Sequence, residues 1–181
     1  MDKRAALGIK DPRFSRLLAF WQPIFRQLDL RVTYILAVRN PVSVARSLQA
    51  RNGFALSKGY CLWLEHTLEA LQGTRGEERL CVDFDEVLLE PMRQLRRIGR
   101  VLGREADQTA AREYAAQFLD QHLRHTRFFI GDLEIEPDAS PDICELYWLL
   151  RIVAITDSAE AWREIDEHLE KSAARLARRQ T

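Results

Sequence analysis

The chain has 181 residues, enough for one domain with a core of its own. Lys+Arg and Asp+Glu number 27 each, so the formal net charge is zero, which argues against a general nucleic-acid or membrane-surface binder carrying a basic excess. Apolar residues make up 46% and charged residues 30%, as in globular proteins, and no apolar run approaches the ~20 residues of a membrane span.

The start, MDKRAALGIKD, has no apolar h-region, so no signal peptide is expected. Cys61, Cys81 and Cys144 lie in apolar settings without a CxxC pair. They read as buried free thiols of a cytoplasmic protein, with no metal site.

In chain order, Ala5 to Ile9 is a short apolar run, read as a first strand stopped by Asp11-Pro12. Phe14 to Leu28 has apolar residues at helical spacing, and Pro23 inside it predicts a break or a kink. Arg31 to Val38 is nearly all apolar and rich in β-branched residues, as in a strand covered on both faces. Asn40 is a good N-cap and Pro41 a good first residue for a helix running to about Ala50, ended by Arg51-Asn52-Gly53. Leu56 to Leu71 reads as an amphipathic helix and Arg79 to Phe84 as a third strand. Pro91 to Leu102 reads as a helix stopped by Gly103, with Arg93, Arg96, Arg97 and Arg100 as an exposed basic face. Thr109 to Leu119 reads as a further helix and Phe128 to Pro141 as a loop. Ile143 to Thr156 and Ala159 to Arg178 read as two closing helices.

Strands alternating with helices predict a parallel α/β sheet, with ligands beyond the C-terminal strand ends. Lys10, Asp11, Arg39 and Asp85 fall at that edge. A helix N-terminus offers backbone N–H groups and a positive dipole end, and Arg39 adds a guanidinium fork suited to phosphate or sulfate. Ser43 and Ser47 share one helix face, and Arg51 follows one turn later, so all four can converge on one anion. The alternative is an ordinary strand-to-helix turn, with Arg39 paired to Asp83 or Asp85, the serines facing solvent and Arg51 a helix-end arginine favoured by the dipole. His66, His122 and His125 are acid/base candidates that read more simply as surface or core histidines. Trp21 and Trp63 read as core residues, with adenine stacking as the alternative.

The run VRNPVSVARSL resembles the 3′-phosphate-binding segment of the PAPS-dependent sulfotransferases (PAPS, 3′-phosphoadenosine 5′-phosphosulfate), in which an arginine closes a strand and a serine follows eight residues later. Arg39 and Ser47 match that spacing. IKDPR, LWLEHTLEAL, LCVDFDEVLLEPMRQLRRIGRVLG and the LRH at Leu123 to His125 resemble later family segments in the same order, over Ile9 to His125. The resemblance implies a three-layer parallel-sheet, P-loop NTPase-like fold truncated at its N-terminus. It also implies a single domain over residues 1–181, with an α/β core at 5–125 and closing helices at 137–181. PAPS, or the bisphosphate PAP that it leaves, is the implied co-substrate, held by Arg39, Ser47, Ser43 and Arg51 without a metal. Lys10 occupies the strand-end lysine position, and Asp11 stands where a histidine base commonly follows.

The family's 5′-phosphosulfate loop, of the form G-x-x-R-S-G-T-[ST], has no counterpart in the sequence. Sulfuryl transfer rests on positioning, electrostatic stabilisation and a base for the acceptor proton. Three readings follow. One is a sulfotransferase acting on an unknown hydroxyl or amine acceptor once completed by a phosphosulfate loop. The second is a nucleotide-binding module without catalysis. The third is an interaction scaffold that self-associates to cover an open sheet edge.

Overall fold

The structure is a computed structural model describing residues 7–11, 13–105, 107–117 and 128–179, with side chains to Lys171. The structure is 69% helical and, among the described residues, carries one parallel sheet of two strands. The described elements are α1 (Phe14–Gln27), β1 (Tyr34–Val38), α2 (Pro41–Asn52), α3 (Leu56–Gly73), β2 (Arg79–Asp83), α4 (Phe84–Leu89), α5 (Pro91–Val101), α6 (Gln108–Gln117), α7 (Ile130–Glu134), α8 (Pro141–Thr156) and α9 (Ala159–Arg179).

The expected three-layer parallel sheet is therefore not formed. Residues 7–10 are irregular rather than a strand, with Leu7 86% and Ile9 52% exposed, and they pair with neither β1 nor β2. Ala5, Ala6 and Pro12 lie outside the described residues. Of the three expected strands the second and third form, and the two closing helices, expected as helices, bury the core against them.

β1 and β2 pair in register from Tyr34↔Arg79 to Val38↔Asp83. Between them, α2 and α3 pack so closely that a Cβ built on Gly59 would lie 2.7 Å from the Cα of Ala45. The centre of the core is α8, which buries Ile143, Leu146, Tyr147, Leu149, Leu150, Val153 and Ala154. A helix apolar on most sides is covered on most sides, and α8 packs on both β2 and α9. Arg79 pins α9 to the sheet: its guanidinium bonds Asp166 at 2.9 Å and stacks 4.1 Å above the Trp162 ring.

Other local expectations were altered by packing. α1 runs without interruption through Pro23, which is exposed. A short helix, α7, forms inside the expected loop, with the Phe129 N–H donating to Asp132 Oδ2. The basic face of α5 is broken. Arg97 is buried, paired with Asp157 and Gln94, and it donates to the carbonyls of Cys81 and Val153. Arg93 turns to the Ile155 carbonyl. Of the cysteines, only Cys81 is buried; Cys144 is half-buried and Cys61 exposed. Among the described residues, no helix is long and apolar enough to cross a membrane.

Candidate functional site

The site is built where β1 gives way to α2. Asn40 is fully buried and caps α2: its Oδ1 accepts from the Val42 N–H at 2.9 Å, and its Nδ2 donates to the Phe128 carbonyl at 3.1 Å. The cap fixes the direction in which the chain leaves the strand. Just before it, the Arg39 carbonyl accepts from the Trp63 indole N–H at 3.0 Å, which ties the strand end to α3.

The register sets Val38 beside Asp83, so Arg39 and Phe84, each one residue further on, stand side by side. The Arg39 guanidinium lies 4.5 Å above the centroid of the Phe84 ring. A guanidinium stacked on a ring keeps its N–H donors in its own plane, available to an anion at the edge. Of the two alternative partners, Asp83 is occupied elsewhere. Its Oδ1 accepts from the N–H groups of Asp85 and Glu86, and Tyr147 Oη lies 3.4 Å from its Oδ2. Burial pushes the Asp83 carboxyl above the usual range, against the pull of the Glu86 N–H and Arg151. Burial and the Asp83 charge likewise push the Tyr147 phenol up.

A groove of about 1320 Å³ opens along β1, between the residues preceding α1, the inner face of α3 and the turn after α5. Among the described residues it is lined by Lys10, Arg31, Arg39, Arg51 and Arg104 against Asp11 and Asp29. In a chain of zero net charge, that is a local surplus of cations facing one space. Arg31 is committed to Glu78 at 3.0 Å.

Of the candidate residues, the structure gathers Lys10, Asp11, Arg39 and Arg51 around this groove and leaves Ser43 and Ser47 out of its lining. The residues of α2 that turn toward it are Val44, Leu48 and Arg51, whereas Ser43 is buried and Ser47 exposed elsewhere. The first-turn N–H groups of α2 are largely spent as well. Pro41 has none, Val42 donates to the Asn40 side chain, and Val44 donates to the Asn40 carbonyl. The α2 part of the expected cradle is thus closed by its own cap, and Arg39 carries the site. Arg51 is exposed and leans on Asn52 at 2.8 Å.

Asp11 is gripped by Arg13, whose Nε and Nη2 donate to its two oxygens at 3.0 and 2.8 Å. Those side-chain bonds, then the Arg13 backbone N–H, hold the Asp11 carboxyl down at about 2. A carboxylate so acidic is a weak base. A better-placed acid/base group is His66, whose Nδ1 lies 3.1 Å from Ser15 Oγ, with both residues on the groove wall. His122, His125, Arg124 and the LRH segment lie outside the described residues. Trp63 is buried, as expected of a core residue, and Trp21 is half-buried, stacked on Phe14 and Phe25. Among the described residues, no three His, Cys, Asp or Glu side chains gather to hold a metal.

Sequence reasoning missed Phe84 as the platform for Arg39 and Trp63 as the donor to its carbonyl. A signal for the second was present, because a buried indole N–H usually requires an acceptor. No protein-family model matches the chain, and neither the curated proteins nor the solved structures contain a significant match.

Proposed function

We propose that the chain is a sulfotransferase-like nucleotide-binding protein, whose groove beside Arg39 receives the 3′-phosphate of PAPS or of adenosine 3′,5′-bisphosphate. The observation that carries this reading is the Arg39 guanidinium, stacked on Phe84 at the strand end and facing a groove rich in cations. Lys10 and Arg51 supply further positive charge, and the aromatic rings of Phe14, Tyr34 and Trp63 line the same space. The acceptor in this reading is an unidentified hydroxyl or amine.

The low pKa of Asp11 argues against it as the base of a catalytic form, and leaves His66 on the groove wall as the candidate. A base held at about 2 by Arg13 takes an acceptor proton poorly near neutral pH. Incubation with PAPS and a panel of hydroxyl and amine acceptors separates that form from one without catalysis. Release of adenosine 3′,5′-bisphosphate above the buffer rate establishes transfer. Thermal stabilisation by the bisphosphate without such release establishes a binding module. The absence of both effects overturns the nucleotide reading.

A further inference from the structure

Among the described residues the sheet has two strands, and β1 has a neighbour on one edge only. The Tyr34 N–H donates to the Glu78 carbonyl at 2.8 Å. In a parallel ladder, alternate residues point their backbone groups to opposite edges. Tyr34, Leu36 and Val38 therefore address β2, and Ile35 and Ala37 present N–H and C=O groups to the other edge. Among the described residues, no hydrogen bond reaches those groups. Ile35 is 44% exposed.

That edge opens into the groove already described. Its walls are apolar on several sides: Ile9, Leu18, Leu48, Leu62 and Leu102 all line it. Parallel strands are ordinarily covered on both faces, and an uncovered edge templates pairing with another strand. Because elements flank the slot, an extended segment free of its own sheet enters it more readily than a strand embedded in a second folded copy.

Charge sets the direction. α1 runs antiparallel to β1, since Ser15 meets His66, and Gln22 meets the Gly73 carbonyl, as α3 descends from Trp63 at the Arg39 end. Lys10, just ahead of α1, therefore lies toward the C-terminal end of β1, with Arg39 and Arg51. A strand parallel to β1 brings its own C-terminal end to these cations.

We propose that the open edge of β1 is a docking slot for an extended apolar peptide segment of about five residues, parallel to β1 and followed by acidic residues. The backbone of Ile35 and Ala37 gives the pairing, the groove walls select apolar side chains, and Lys10, Arg39 and Arg51 select the acidic end. The open edge supports the backbone pairing independently of any nucleotide, whereas the acidic end shares Lys10, Arg39 and Arg51 with the proposed phosphate site.

The test is amide hydrogen exchange on the whole chain with a blocked synthetic peptide, TVIVVDD. Saturating peptide is expected to slow exchange at Ile35 and Ala37 by at least tenfold, while Leu36 and Val38, already paired to β2, change little. The same peptide ending in two lysines binds at least fivefold more weakly. Ala37→Pro removes one edge donor and abolishes the protection with an unchanged circular dichroism spectrum; should that variant unfold, Ile35→Lys serves in its place. The proposal is overturned if the two amides are already protected in the free monomer, or if protection grows with protein concentration alone, which assigns the edge to a second copy. Failure of the peptide to protect them overturns it as well.

Discussion

The Trp63 indole N–H donates to the Arg39 carbonyl at 3.0 Å, so the residue best placed to meet an anion is held through its backbone by the helix that lines the same groove. The indole also meets Tyr147 edge-on at 6.1 Å. One side chain thus links the strand end, α3 and the central helix α8.

Trp63→Phe keeps a ring and removes the donor. A fully buried acceptor left unpaired costs about 1–3 kcal/mol, and this one is half-buried, so the low end of that range applies. Urea denaturation is expected to show a loss near that low end. Trp63→Leu, which also removes the edge-to-face contact, loses more. Equal stability of parent and Trp63→Phe contradicts the role given to this hydrogen bond.

The contact of α2 with α3 depends on the absence of a side chain at position 59. A Cβ there would meet the Ala45 backbone at 2.7 Å, and backbone yields less readily than a flexible side chain. Gly59→Ala is expected to cost about 1–3 kcal/mol through overpacking, despite the better helix propensity of alanine. A Gly59→Ala chain that melts higher than the parent rules out the close approach.

Arg97 is the buried charge with the most partners: Asp157, Gln94 and two carbonyls. Removing one member of a buried pair typically costs 3–5 kcal/mol. The Asp157 side chain is 43% exposed, so solvent tempers this, and Arg97→Ala is expected to cost about 3 kcal/mol. Thermal melts that place Arg97→Ala beside a surface substitution such as Arg100→Ala contradict the structural role.

Burial raises the Asp83 carboxyl, and the sign of its effect on stability follows. A group with a higher pKa folded than unfolded binds more protons in the folded state between the two values. Its contribution is present below the unfolded pKa and is lost as pH rises through the raised folded pKa. Asp83→Asn keeps an N-cap oxygen and the contact with Tyr147 but cannot ionise. The variant therefore gains on the parent as pH rises from about 4 toward 7 in urea midpoints. Glu78, lowered by Arg31, acts with the opposite sign in both proteins and cancels in the comparison. A difference independent of pH contradicts the assignment.

Much of the local structure was legible in the sequence, because it is written in local signals. Asn40-Pro41 starts α2, and Gly53, at φ 69°, stops it at the position where a left-handed residue is needed. The apolar runs of β1 and β2 and the periodicity of α3, α5, α8 and α9 were equally readable. Whatever depended on neighbours was not. Leu7 and Ile9 have the composition of a strand, but no strand pairs with them among the described residues. Ser43 and Ser47 share a face as their spacing requires, yet packing turns Val44, Leu48 and Arg51 to the groove instead. Arg97 sits in a run with the spacing of an exposed stripe, and its burial follows from the positions of β2 and α8, which the run does not encode.

The most direct measurement is calorimetric titration of the whole chain with adenosine 3′,5′-bisphosphate, at low and moderate salt, for the parent, Arg39→Ala and Ser47→Ala. A charged hydrogen bond contributes about 1.5–3 kcal/mol. Arg39→Ala is therefore expected to weaken binding by at least tenfold, with affinity falling as salt rises. Ser47→Ala, outside the groove lining, changes it by less than about twofold, within the few tenths of a kcal/mol typical of surface substitutions. Binding that survives Arg39→Ala, or no binding by a well-folded parent, contradicts a nucleotide site built on Arg39.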